Sequence, residues 1–130
     1  MLTETVNVPA FKPMADRAHF AQATKAGGLL FCSGSIGFDM ENGGVPDDLA
    51  TEFRNAFGMI AFLLEQAGLD FSDVVEMTSY LVDFANTAPT FTAVRDEFLN
   101  PPWGAWTAIE VAGFAVPGAH VEIRGVAQLR

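Results

Sequence analysis

The chain has 130 residues, half of them hydrophobic and only 18% charged, with a formal net charge of -9. Such a length serves one domain around one core, and seven scattered basic residues against sixteen acidic ones argue against a nucleic-acid partner, whose phosphates need clustered cations. No apolar run approaches the roughly 20 residues of a membrane span, and the first residues lack a basic stretch followed by an apolar one, so no membrane association and a cytoplasmic location are expected. A composition this apolar in so small a chain predicts surface hidden in an oligomer. The single cysteine, Cys32, rules out an intrachain disulfide and fits a reducing compartment.

Residues 1–15 contain Pro9 and Pro13 and read as an irregular arm with one short strand. Residues 18–24 alternate as a strand, Ala26-Gly27-Gly28 supplies turn chemistry, and the apolar run 29–32 closes a hairpin. The segment Ser33-Gly34-Ser35-Ile36-Gly37 follows, small residues whose backbone can approach a ligand closely or which simply lead a strand into a loop. After a turn-rich loop at 39–44, Asp47 or Asp48 offers an N-cap carboxylate to the free N–H groups of a helix. Leu49, Phe53, Phe57, Ile60 and Leu64 form its apolar stripe, and Gly68 is placed to end it. That stripe reads as core.

The β-branched residues of 74–82, together with Tyr80, predict a strand in the middle of a sheet. A second helix is expected from Pro89, with Phe91, Val94 and Phe98 on one face and Asn100-Pro101-Pro102 at its end. The last thirty residues carry two alternating runs, 106–111 and 119–127. In the first, Trp106, Ala108 and Glu110 share a face. In the second, His120, Glu122 and Arg124 share one, opposite Val121, Ile123 and, for the most part, Val126. With Pro117 and Gly118 between them, the two runs are expected to pair antiparallel, so that an indole, a histidine, a glutamate and an arginine mark a wet face or a site. Two helices can cover one face of a four- or five-stranded sheet and no more, which predicts an α+β domain with an open face that something else must cover. No repeat, linker or second module is apparent in residues 1–130.

The order of these elements, the SGSIG segment, the helix ending in Glu65-Gln66-Ala67-Gly68, the strand start Asp73-Val74-Val75, and the terminal Ile109-Glu110-Val111 with Val121-Glu122-Ile123 together resemble the reactive-intermediate deaminase (Rid, YjgF-like) family over roughly residues 16–129. The resemblance implies a chorismate-mutase-like fold, two helices on one sheet face, and a homotrimer whose three sheets make a central barrel with ligand clefts between subunits. It implies hydrolysis of small enamines and imines, such as 2-aminoacrylate, to a keto acid and ammonia, without cofactor or metal. In the family an arginine just before the penultimate strand's Val-Glu-Val clamps the substrate carboxylate; here that position is Trp106. A first-strand tyrosine aligns with Phe20, a second-helix asparagine with Thr92, and a cysteine with Ala108, whose backbone N–H can still donate. The glutamate that positions water is retained as Glu122.

The expected site is therefore Glu122 as acid/base or water-positioning residue, with Phe20, Ser33, Gly34, Ser35, Ile36, Thr92, Trp106 and Ala108 binding the ligand. A substrate carboxylate buried against Trp106 and Phe20 without a cation would cost several kcal/mol, in order of magnitude. Arg124 and Arg17 are the candidate replacements for the lost arginine, although Arg124 also reads as a partner of Glu122 or Glu110. Glu110 reads as interface. His19 and His120 do not make a metal site without further ligands. Three functions are weighed: an imine or enamine deaminase for a small apolar or aromatic-derived substrate, a non-catalytic ligand-binding or stabilising trimer, and an endoribonuclease, against which the acidic balance argues.

Overall fold

The computed structural model describes residues 4–130. In chain order it contains β1 (Glu4–Val6), α1 (Lys12–Ala18), β2 (Ala23–Ala26), β3 (Leu29–Cys32), α2 (Leu49–Gln66), β4 (Val74–Leu81), α3 (Phe84–Phe98), β5 (Ala105–Glu110) and β6 (Val121–Gln128). The strands form one mixed sheet in the order β1-β2-β3-β6-β4-β5. This is an α+β fold.

Local chemistry accounts for most boundaries. The β2–β3 hairpin turns at Gly27 and Gly28, both at positive φ as the tight turn requires. Asp48 caps α2 by accepting from the Thr51 N–H at 3.0 Å and its hydroxyl at 2.7 Å, and Gly68, at φ 74°, ends the helix in the left-handed conformation. These Thr51 hydrogen bonds, side-chain first, hold the Asp48 carboxyl below its ordinary range. Between these caps α2 buries its stripe against the sheet. Its C-terminal half packs Ile60, Leu63 and Leu64 on Leu30 and Cys32. The N-terminal half sets Phe53 and Phe57 among Met77, Leu81, Phe91, Val94, Val121 and Ile123. Phe57 is fully buried and stacks on Phe98 at 5.1 Å, so its truncation to alanine would cost about 3–5 kcal/mol.

Three expectations are corrected here. Residues 12–18 form a helix, so β2 starts at Ala23 rather than at 18. Lys12 and Asp16 pair across one turn, and His19 at φ 62° ends the helix. The second long helix starts at Phe84, five residues before Pro89. Glu110 there accepts from the Phe84 N–H at 3.0 Å, and thus caps a helix end instead of serving only as interface. The last two strands do not pair with each other: β5 runs parallel to β4 through the α3 crossover, and β6 lies antiparallel between β3 and β4.

That pairing decides which side chains share a face. Trp106 stands opposite Met77, and Ala108 opposite Ser79, so both point to the helix side. Glu122 stands opposite Tyr80 and Arg124 opposite Thr78, on the side without helices. Val126 has the same parity as Glu122 and Arg124 and belongs to neither core cluster, contrary to its expected place with Val121 and Ile123. On this uncovered side Phe31 and Ile109 are exposed.

Candidate functional site

The small-residue segment after β3 is tied down at several points. Ser33 donates its hydroxyl to the Ala21 carbonyl at 2.6 Å and its N–H to Gln22 at 2.8 Å. Ser35 exchanges backbone hydrogen bonds with Ile123 at 2.8 and 2.9 Å, which lays the segment against the start of β6. Gly34 then faces Glu122 so closely that a Cβ built on it would lie 2.6 Å from the glutamate Cδ. Only glycine leaves the carboxyl this place. Glu122 itself is half-buried and, among the described residues, makes no hydrogen bond or ion pair.

Gly37, at the other end of the segment, meets a second carboxylate. A Cβ there would lie 2.0 Å from the Glu52 carbonyl oxygen. The Glu52 side chain is fully buried in the apolar stripe of α2; its Oε2 accepts from the His120 N–H at 2.6 Å and its Oε1 lies 2.8 Å from His120 Nδ1. His120 is thus bound to α2 and is not a free neighbour of Glu122. Sequence reading passed over Glu52, although a glutamate one residue before Phe53 on a buried stripe was the available signal.

The structure divides the remaining expected site residues. Phe20, Ser33, Gly34, Ser35 and Ile36 line one cavity of about 570 Å³, with Arg17 at its wall and Met59 and Leu63 of α2 beneath. Trp106 lines another, of about 260 Å³, at the β5 edge. Its indole donates to Ser79 Oγ at 3.1 Å and stacks on Phe91 at 6.4 Å. Ala108 sits beside it on the strand. Thr92 is exposed on α3 with its hydroxyl donated to the Ala88 carbonyl at 3.0 Å, and lines neither cavity. Within one subunit Trp106 and Glu122 lie on opposite faces of the sheet, so the single face of indole, histidine, glutamate and arginine expected from the sequence does not form.

The arginines also differ from expectation. Among the described residues Arg124 forms no ion pair with Glu122 or Glu110. The arginine that reaches Trp106 is Arg95, on α3, which no local pattern singles out. Cys32 is buried in the core; burial pushes its thiol up to about 11, against a smaller opposing effect of the Arg124 charge, so it is no nucleophile. No group of His, Cys, Asp and Glu among the described residues has a metal-binding arrangement, and no helix is long and apolar enough to cross a membrane.

The model of the family described as Endoribonuclease L-PSP matches residues 11–129. The chain belongs to that family. It is 32% identical to the RutC family protein YjgH of Escherichia coli K12 over 131 residues, 99% of this chain and 98% of the relative. It is 34% identical over 110 residues to a 2-iminobutanoate/2-iminopropanoate deaminase of Bos taurus, covering 83% of this chain and 78% of that protein. Among solved structures, protein YJGH superposes with a TM-score of 0.88 at 28% identity over 99% of this chain and 98% of its own. RidA from the Antarctic bacterium Psychrobacter sp. PAMC 21119 gives 0.85 at 27% identity over 98% and 100%. The Rid-like resemblance drawn from the sequence and the α+β fold are both borne out.

Proposed function

We propose that this family member is an imine or enamine deaminase, or a closely related hydrolase, acting on a small apolar or aromatic-derived substrate in clefts between the subunits of a homotrimer. The observation that carries the reading is Glu122: a half-buried carboxyl with no partner among the described residues, held against Gly34 in a segment fixed on both sides. A carboxylate kept from ion pairs is available to a proton in transit. The named deaminase relatives and the family match support the reaction class.

In the proposed reaction Glu122 takes a proton from water as the water oxygen bonds to the imine carbon. That proton passes to nitrogen to give a carbinolamine; Glu122 then carries the hydroxyl proton to the same nitrogen as the C–N bond breaks, so that the C=O bond forms and ammonia leaves. With an enamine, protonation of carbon comes first. The backbone N–H of Ala108 and the 33–37 segment would hold developing negative charge, while Phe20 and Trp106 shape the cleft. The two cavities lie in different parts of the sheet order, one at the β5 edge and one beyond β3, and a cleft that uses both needs two subunits. A trimer would also cover the open face that bears Phe31 and Ile109.

The test is ammonia release from freshly generated 2-aminoacrylate and from the imine of a bulky apolar amino acid, with wild type, Glu122→Gln and Trp106→Arg compared. The proposal expects wild-type turnover that Glu122→Gln abolishes. Full turnover by Glu122→Gln on any identified substrate overturns the role of Glu122. The second reading, a ligand-binding trimer without chemistry, draws on the tight packing of Trp106 on Ser79 and Phe91 where the resemblance places an arginine. Saturable ligand binding without turnover would favour it. Ribonuclease activity has the net charge of -9 against it, and its loss on stringent purification would remove it.

A further inference from the structure

Arg95 extends from α3 over the β5 edge, with its guanidinium carbon 4.4 Å from the centre of the Trp106 ring and 5.8 Å from that of Trp103. Its side chain retains 18% exposure. The small cavity it helps to line is walled largely by apolar groups such as Phe71, Met77 and Leu99, with Asn100 as a neutral polar neighbour, and among the described residues Arg95 is the only ionisable side chain in that wall. Its ionic partner is its chain neighbour Asp96, which offers one oxygen, 3.4 Å from Nε and 3.2 Å from Nη2. Asp96 is itself 57% exposed, and a single-oxygen pair of this kind holds the cation weakly. Nη1 takes no part in it. A guanidinium lying on an indole face is fixed by that face, and its N–H donors project in its own plane past the ring edge.

The geometry points to Arg95, seated on Trp106, as the group that binds an anionic ligand: a small carboxylic acid whose apolar body lies along Trp103 and Trp106. This rests on the cleft described under Proposed function and adds to it the charge of the substrate and the origin of its anchor. A planar carboxylate matches the guanidinium edge and can take two parallel hydrogen bonds there. The volume of about 260 Å³ lies below the roughly 300–1,000 Å³ of drug-sized sites and sets the acid as a small one. In a wall this largely apolar, the guanidinium donors that Asp96 leaves unfilled favour a charged acceptor over a neutral ligand of the same shape.

The test titrates the full chain with phenylacetate and with phenylacetamide, equal in shape and different in charge, and follows indole fluorescence. Saturable binding of the acid is expected, with a Kd about tenfold lower than that of the amide. Arg95→Gln should weaken binding of the acid alone and erase the preference, Arg95→Lys should keep part of it, and Trp106→Phe, which keeps an aromatic platform, should retain it. Unfolding midpoints of the variants are measured alongside, and the lysine and phenylalanine variants decide the matter if Arg95→Gln does not fold. Failure of wild type to bind the acid, equal binding of acid and amide, or undiminished acid binding by Arg95→Gln overturns the assignment. Ammonia release measured in parallel separates the two readings: an acid preference without turnover leaves the anchor and removes the deaminase, and turnover indifferent to Arg95→Gln does the reverse.

Discussion

Glu52 is fully buried and has both carboxylate oxygens against His120, whereas Glu122 is half-buried and has no partner among the described residues. Each is met by a glycine of the same short segment, Gly37 at the first and Gly34 at the second. Burial alone would single out Glu52 as the residue of interest. Hydrogen-bond satisfaction reverses that choice, because a carboxylate already engaged through both oxygens locks α2 to the start of β6, while an unengaged one remains free to exchange a proton. The lock serves the free group: Glu52 fixes His120, which directly precedes β6 and lies two residues before Glu122.

Substitutions can break this comparison at several levels. Gly37→Ala has the largest expected effect, since its Cβ meets backbone that cannot swing away; it should cost about 3 kcal/mol or more in urea unfolding. Glu122→Gln should lower kcat by about 10²–10⁴-fold while the unfolding midpoint stays in place. Equal losses of stability in these two variants would mean that both carboxylates are structural. Gly34→Ala meets only the end of a flexible side chain, so it should displace the Glu122 carboxyl, reduce kcat/KM by roughly tenfold, and cost under about 1 kcal/mol. Glu52→Gln keeps one oxygen acceptor but sets an amide nitrogen where the second oxygen meets His120, and about 1.5 kcal/mol of stability is expected to go with it.

The smallest effect belongs to Cys32, a buried acid with no function to perform. Its thiol is pushed up to about 11 from 9.0, chiefly by burial. Below about pH 9 it is neutral in the folded and unfolded chain alike, and its contribution to stability is intact. As pH rises toward 11 the unfolded chain ionises first, so stability declines in that window. Urea midpoints between pH 8 and 11 should fall less in Cys32→Ala than in wild type, and the native thiol should resist a disulfide reagent at pH 8.

Part of the site was legible because the residue types themselves carry the information. Glu122, the 33–37 segment and Phe20 stand out in the sequence as a strand-borne acid, a close-approach backbone and an aromatic wall; the structure sets Glu122 against Gly34 and, separately, Phe20 in one cavity with Ser33–Ile36. The faces were not legible. Alternation along β5 correctly joins Trp106 with Ala108, and along β6 Glu122 with Arg124, but the relation between the two sets depends on β4 lying between the strands in parallel with one and antiparallel to the other. A direct antiparallel pairing of the two runs, which Pro117 and Gly118 suggest, would put Trp106 and Glu122 together. Arg95 escaped notice for a related reason: nothing local to α3 reveals that an indole eleven residues later in the chain folds back beneath it.

The elements whose causes are short-range follow from the residues alone: the stripe and caps of α2, the two-glycine turn of the first hairpin, the central strand that opens on two valines, and the family to which their order belongs. Tertiary structure decided what those elements bring together, namely the bond from Glu52 to His120 across 68 positions, the opposite faces of Trp106 and Glu122, and the cation over the indole. Helix periodicity and turns are set by contacts three or four residues apart. Sheet order and register are set by which distant strands close on one another, and that choice is made only when the whole core is packed.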